Sequence, residues 1–126
     1  MANARILAVD DSPTILEMIT AILVSGGYEV LTAADGEQAL ATARAEMPDL
    51  ILLDVMLPKL DGYRVCRLLK FDQKYKHIPI IMLTAKTEEQ AMATGIRTGA
   101  NQYLTKPIEP EKLLSAVAEE LLGTSG

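Results

Sequence analysis

The stretch ILAVDDSP, Ile6–Pro13, decides the fold. A short apolar run ends abruptly in two adjacent carboxylates, Asp10 and Asp11. A run of this length, far below a membrane span, reads as a strand buried on both faces. Ser12 ahead of Pro13 is a helix start, because the hydroxyl can cap free backbone N–H groups and proline suits the first helical position. A buried strand leading straight into a helix is the opening of a β-α unit, with the acid pair at the strand's carboxyl end.

The same pattern recurs along the chain. Candidate strands are RILAVD (5–10), YEVLTA (28–33), DLILLD (49–54), IPIIML (78–83) and NQYLT (101–105). Between and after them lie five stripes at helical spacing: Ile15, Ile19, Ile22 and Leu23; Ala39, Leu40, Ala43 and Met47; Val65, Leu68 and Leu69; Met92, Ile96 and Gly99; and Leu113, Leu114, Val117 and Leu121. Asp35 with Gln38, and Thr87 with Gln90, are spaced as capping boxes, while SGG at 25–27 and Gly99 are helix stops. Strict alternation predicts an α/β fold: one doubly wound (βα)5 domain whose parallel sheet carries helices on both faces. The first, third and fourth strands are the most apolar and belong in the centre. The second and fifth carry Glu29, Thr32, Asn101 and Gln102, as edge strands can. The expected order is 2-1-3-4-5, and ligands of such sheets bind at the carboxyl ends of the strands, where the winding reverses.

Bulk properties narrow the function. The 126 residues fit one domain, 49% hydrophobic and 23% charged, which is ordinary globular composition. A net charge of −5 disfavours direct nucleic-acid binding, which needs clustered Lys and Arg. No apolar run approaches the roughly 18 residues of a membrane span. The opening MANARILAVDD meets acid too early for a secretory signal, and the single cysteine, Cys66, forms no internal disulfide. A cytoplasmic protein is the expectation. Cys66 reads as core packing and His77 as solvated; Met18, Met47, Met82 and Met92 read as core or gap filling.

The strand ends carry the chemistry. The first delivers Asp10 and Asp11, the third Asp54, the fourth Thr84 and Ala85, and the fifth Lys106 and Pro107. Neighbouring strands lie about 4.8 Å apart, so the acids should converge, with Lys106 reaching in from roughly 10 Å away. Two like charges about 4 Å apart cost about 4 kcal/mol at an effective dielectric near 20. One lysine does not neutralise three acids. A hard divalent cation does, and an all-oxygen site selects Mg2+ or Mn2+. A carboxylate beside such an ion, a lysine and a hydroxyl is equipped to accept a phosphoryl group.

This constellation resembles the receiver domain of two-component response regulators. Asp10-Asp11, Asp54, Thr84-Ala85, Lys106-Pro107 and MLPKLDGY (56–63) carry the resemblance, which runs from about Arg5 to Leu122. It implies a receiver over residues 1–122 and a tail or linker start over 123–126. It implies that Asp54 is the phosphoacceptor, served by the phosphohistidine of a sensor kinase or phosphotransfer protein. Asp11, Asp54 and the Met56 backbone carbonyl would bind the metal directly, and Asp10 through water. Thr84, Ala85 and Lys106 would bind the phosphoryl group, with Thr84 and Tyr103 as the switch pair, although Tyr103 as plain strand packing competes with that role. A cis bond between Lys106 and Pro107 is expected, and Met56 and Lys86 occupy rate-tuning positions. The chain would catalyse only its own phosphorylation and dephosphorylation, and would thereby reshape the face of the fourth and fifth helical segments and the fifth strand. That face would meet an output domain, a target protein or, on phosphorylation, a second copy.

Rival readings are weaker. A haloacid-dehalogenase-type phosphohydrolase usually needs an acid two residues after its nucleophile, where this chain has Met56. A flavodoxin-like carrier needs a hydroxyl- and glycine-rich loop after its first strand, where DDSPT would repel flavin phosphate. A receiver-like module unable to accept phosphate sits badly with the intact acid set.

Overall fold

A computed structural model describes residues 3–85 and 99–124. Five parallel strands, β1 (Arg5–Val9), β2 (Glu29–Ala33), β3 (Leu50–Asp54), β4 (Ile80–Thr84) and β5 (Gln102–Thr105), form one sheet in the order β2-β1-β3-β4-β5. The helices among the described residues are α1 (Pro13–Ser25), α2 (Gly36–Glu46), α3 (Gly62–Lys70) and α4 (Pro110–Thr124). The α/β class and strand order are those expected. Met92, Ile96, Lys86 and the Thr87–Gln90 box lie outside the described residues. The last helix, the fifth stripe of the sequence, runs on to Thr124, past the 122 boundary.

The two-residue period of a strand sorts the core into two halves. Leu7, Val9, Ile51, Leu53, Ile80 and Met82 face one side, under α2 and α3. Ile6, Ala8, Leu50, Leu52, Ile81 and Leu83 face the other, where Ile19 and Leu23 of α1 and Leu113, Ala116 and Val117 of α4 cover them. Burying a side chain of this size contributes about 1.5–3 kcal/mol, so the three central strands dominate stability and hold their carboxyl ends rigidly side by side.

Helix boundaries follow local chemistry. Ser12 Oγ accepts from the Ile15 N–H (3.3 Å), and Pro13 opens α1. The helix ends at Gly26, with Gly27 at φ +90°. Asp35 caps α2 by accepting from the Gln38 N–H (2.8 Å), and Gln38 Oε1 accepts from the Ala34 N–H (3.2 Å), a reciprocal arrangement close to the expected box. Asp61 caps α3 through the Arg64 N–H (3.0 Å).

Cys66 and Met82 are buried and His77 is exposed, as expected. Met18, Met47 and Leu68 are corrections: all three are exposed. Met18 and Leu68 sit where the helical stripe turns to solvent. Met47 is the residue on which α2 ends, at φ 48°, and so points away from the stripe.

The loop from α3 to β4 is tied down by one ammonium. Lys70 Nζ donates to the carbonyls of Ile78 (2.7 Å) and Lys76 (3.3 Å). Burial pulls the Lys70 pKa down, so its charge carries a desolvation cost that these bonds offset. Lys70→Met is expected to lose about 1 kcal/mol net in urea unfolding. An unchanged midpoint would mean that the tie is cosmetic.

Candidate functional site

The site lies at the carboxyl edge of the sheet, where β1, β3, β4 and β5 end. Asp10 follows β1, and its N–H donates to the Ala33 carbonyl (3.2 Å), so the backbone is still pinned to β2 where the acid begins. Its side chain is 1% exposed. Asp10 Oδ1 accepts from the Ser12 N–H (2.9 Å), a turn that carries the chain into α1. Asp11 is exposed. Asp54 closes β3 at 3% exposure, with Oδ1 accepting a long bond from the Met56 N–H (3.4 Å).

Carboxylate oxygens of Asp10, Asp11 and Asp54 all lie within 4.8 Å of one another. Lys106 Nζ bridges two of them, 3.2 Å from Asp10 Oδ2 and 3.3 Å from Asp54 Oδ1. The Lys106 N–H donates to the Thr84 carbonyl (2.8 Å), so the lysine is anchored to β4 before its side chain crosses toward β1 and β3. The Lys106–Pro107 bond is cis. Thr84 is buried at the end of β4; in register, Leu83 is level with Asp54, and Thr84 stands one residue nearer the edge. Ala85 follows it, exposed. Tyr103 is half-buried in β5, level with Met82, and packs against the core under α2 and α3. Met56 is 70% exposed beside the acids.

The electrostatics are those of a site short of positive charge. Burial first, then the charge of Asp10, pushes the Asp54 carboxyl above its usual range, and Lys106 only partly reverses this. For Lys106, burial pulls down, but the charges of Asp54 and Asp10 and the bonds to them outweigh it and raise the net pKa. Three carboxylates against one ammonium leave room for two further positive charges, which fits a hard divalent cation on oxygen donors.

The segment between β3 and α3, marked in the sequence by MLPKLDGY (56–63), is held by contacts that sequence reasoning did not foresee. It is clamped by two glycines, each following an aspartate that caps a helix. A Cβ on Gly36 would lie 1.8 Å from the Leu60 carbonyl oxygen, and one on Gly62 would lie 2.1 Å from the Asp54 carbonyl oxygen. Lys59, at φ 67°, places its ammonium 3.7 Å from Asp35 Oδ2. The available signal was the repeated Asp-Gly dipeptide at 35–36 and 61–62, a cap followed by a residue without a side chain.

A parallel sheet in this order, with an acidic trio and a lysine at its carboxyl edge, defines a phosphoacceptor signalling fold. The family model for the response regulator receiver domain matches residues 6–118, and the chain belongs to that family. It is thus a receiver domain of two-component response regulators. It is 49% identical over 115 residues to the alkaline phosphatase synthesis transcriptional regulatory protein PhoP of Bacillus subtilis, covering 91% of this chain and 47% of PhoP, so the chain spans about half the length of that relative. Protein PilH of Pseudomonas aeruginosa is 43% identical over 120 residues, 95% of this chain and 99% of PilH. The crystal structure of the receiver domain of sensor histidine kinase PA1611 from the same species superposes with a TM-score of 0.87 at 36% identity, over 95% of this chain and 98% of that one. That structure has a magnesium ion coordinated in its active-site cleft. Among the described residues no helix is long and apolar enough to cross a membrane.

Proposed function

We propose that Asp54 is the phosphoacceptor, and that it takes its phosphoryl group from the phosphohistidine of a partner kinase or phosphotransfer protein. The observation that carries this reading is the placement of Asp54, buried and within ion-pair distance of Lys106, in a cluster with Asp10 and Asp11. Asp11, Asp54 and the Met56 carbonyl would hold Mg2+ directly, and Asp10 through water, with Mn2+ as a substitute. When bound, the ion supplies positive charge that draws the acids and the phosphoryl oxygens together.

The chain's own residues do the rest. An Asp54 carboxylate oxygen forms the new bond to phosphorus, the bond from phosphorus to the donor imidazole nitrogen breaks, and that nitrogen leaves with the electron pair. Lys106, already 3.3 Å from Asp54, pairs with a phosphoryl oxygen, and the Thr84 hydroxyl and Ala85 N–H donate to the others. Dephosphorylation is the same site's reaction with water, so the chain turns over only itself. Drawing Thr84 inward opens space for Tyr103 and reshapes the face of β5 and α4. Inverting a 1:99 population needs about 5.5 kcal/mol of differential interaction, within reach of a phosphoryl group with several charge-assisted partners. That face would engage an output domain, a target protein or a phosphorylated second copy. The reading places the domain in the cytoplasm.

The test is incubation with radiolabelled acetyl phosphate. Mg2+-dependent, hydroxylamine-labile label that EDTA abolishes supports the reading; no label with donor and Mg2+ in excess overturns it. Met56 and Lys86 tune the lifetime. The exposed thioether of Met56 holds no water for attack on the acyl phosphate, whereas an amide would. Met56→Asn is expected to shorten the phosphoform half-life several-fold, about 1 kcal/mol of barrier. An unchanged half-life removes that role.

A further inference from the structure

A second feature lies away from the acidic edge, between α2 and α3. An open groove of about 860 Å³ is lined by Arg44 of α2, by Arg64, Arg67 and Leu68 of α3, and by Leu60 and Phe71 at either end of α3. Phe71, the chain's only phenylalanine, is 71% exposed, and Leu68 is 47% exposed. Three of the chain's five arginines converge here, although the chain carries a net charge of −5. Among the described residues none of the three forms an ion pair; those pairs belong to Arg5, Lys59, Lys106 and Lys112. Asp72, the one acid on the rim, has Oδ1 engaged in a turn with the Lys74 N–H (2.9 Å).

We propose that this groove docks an acidic amphipathic helix of a partner protein, its apolar stripe on Leu60, Leu68 and Phe71 and its carboxylates on Arg44, Arg64 and Arg67. Charge selects the occupant. Unpaired guanidinium groups around an apolar floor match carboxylates flanking an apolar stripe, and guanidinium takes carboxylate in two-point geometry. The openness selects a helix over a small ligand, because small-molecule sites enclose most of their ligand, whereas Phe71 and Leu68 stand in solvent. A second copy is disfavoured by the chain's net negative charge. The groove is separate from the β5–α4 face, so both can be occupied together.

The test uses a fluorescein-labelled, hydrocarbon-stapled helical peptide of about 15 residues with a leucine stripe flanked by glutamates, and its counterpart with lysine in place of every glutamate. The acidic peptide is expected to bind and to shift the backbone amide resonances of Arg44, Arg64, Arg67, Leu68 and Phe71. The Arg64→Ala/Arg67→Ala double variant and Phe71→Ser should each weaken it by about tenfold, and higher salt should weaken the former less than the wild type. Phospholabelling of these variants should be unchanged, which separates loss of the groove from loss of the fold or of the acidic site. Equal binding of the lysine peptide, or no amide shifts at millimolar peptide, overturns the proposal. So do displacement of the peptide by ATP, which makes the occupant a phosphorylated small molecule, and peptide-free self-association that Phe71→Ser abolishes, which makes it a second copy.

Discussion

Asp54→Asn is expected to take up no label from acetyl phosphate and yet to melt above the wild type in EDTA. An amide oxygen is a poor nucleophile toward phosphorus, so label should fall to background. The stability gain comes from removing a charge that folding disfavours. Burial and Asp10 raise the Asp54 pKa above the ordinary 3.8, more than Lys106 lowers it. Between 3.8 and the raised folded value, the native chain binds the proton more tightly than the unfolded one, so stability falls as pH rises through that window and stays low above it. Asparagine never ionises and escapes the loss. Near neutral pH the variant should be about 1 kcal/mol more stable, roughly 3–5 °C in melting temperature for a domain of this size, with the difference vanishing toward pH 3. Saturating Mg2+ should reverse the order, because ligand binding adds about 2.7 kcal/mol at a hundred times its dissociation constant and the variant would lack the charged oxygen proposed to hold the ion. A variant less stable than the wild type at neutral pH in EDTA would show that the Lys106 pair outweighs burial.

Gly36→Ala and Gly62→Ala should each cost about 3 kcal/mol, the upper range for overpacking, or roughly 10 °C in melting temperature. In both cases the added methyl meets backbone, which cannot swing aside as a side chain can: Leu60 carbonyl oxygen at 1.8 Å and Asp54 carbonyl oxygen at 2.1 Å. The two differ in function. Gly62→Ala presses on the residue that would accept phosphate, so the folded fraction should label several-fold more slowly; Gly36→Ala moves the loop at Leu60 and should label normally at low temperature. Gly123→Ala is the control, because nothing lies within 4 Å of its Cβ, and it should be neutral or slightly stabilising. Equal melting of all three would mean that the loop yields freely.

The sheet was legible because each strand is a short apolar run and the central strands carry charge only at their ends. Polar Glu29 and Gln102 marked the edges, which β2 and β5 occupy. Strand spacing brought the acids together, but it placed Lys106 about 10 Å away and left the closure to a flexible stem; the observed 3.2 and 3.3 Å contacts depend on anchoring at Thr84, which spacing does not reveal. Helical periodicity shows which residues share a stripe but not where the stripe's margin meets water, hence Met18 and Leu68. The glycine clamps were hidden because a missing side chain says nothing of what approaches it. The groove was hidden because Arg44 and Phe71 are distant in sequence and meet only once α2 and α3 pack.

The bond between Lys106 and Asp10 joins residues 96 positions apart, nearly the two ends of the fold. A nascent chain that has not yet added β5 already carries all three acids but lacks the cation that tempers them. The capacity to be switched therefore arrives late in the synthesis of this domain, only after every acid of the site is already in place.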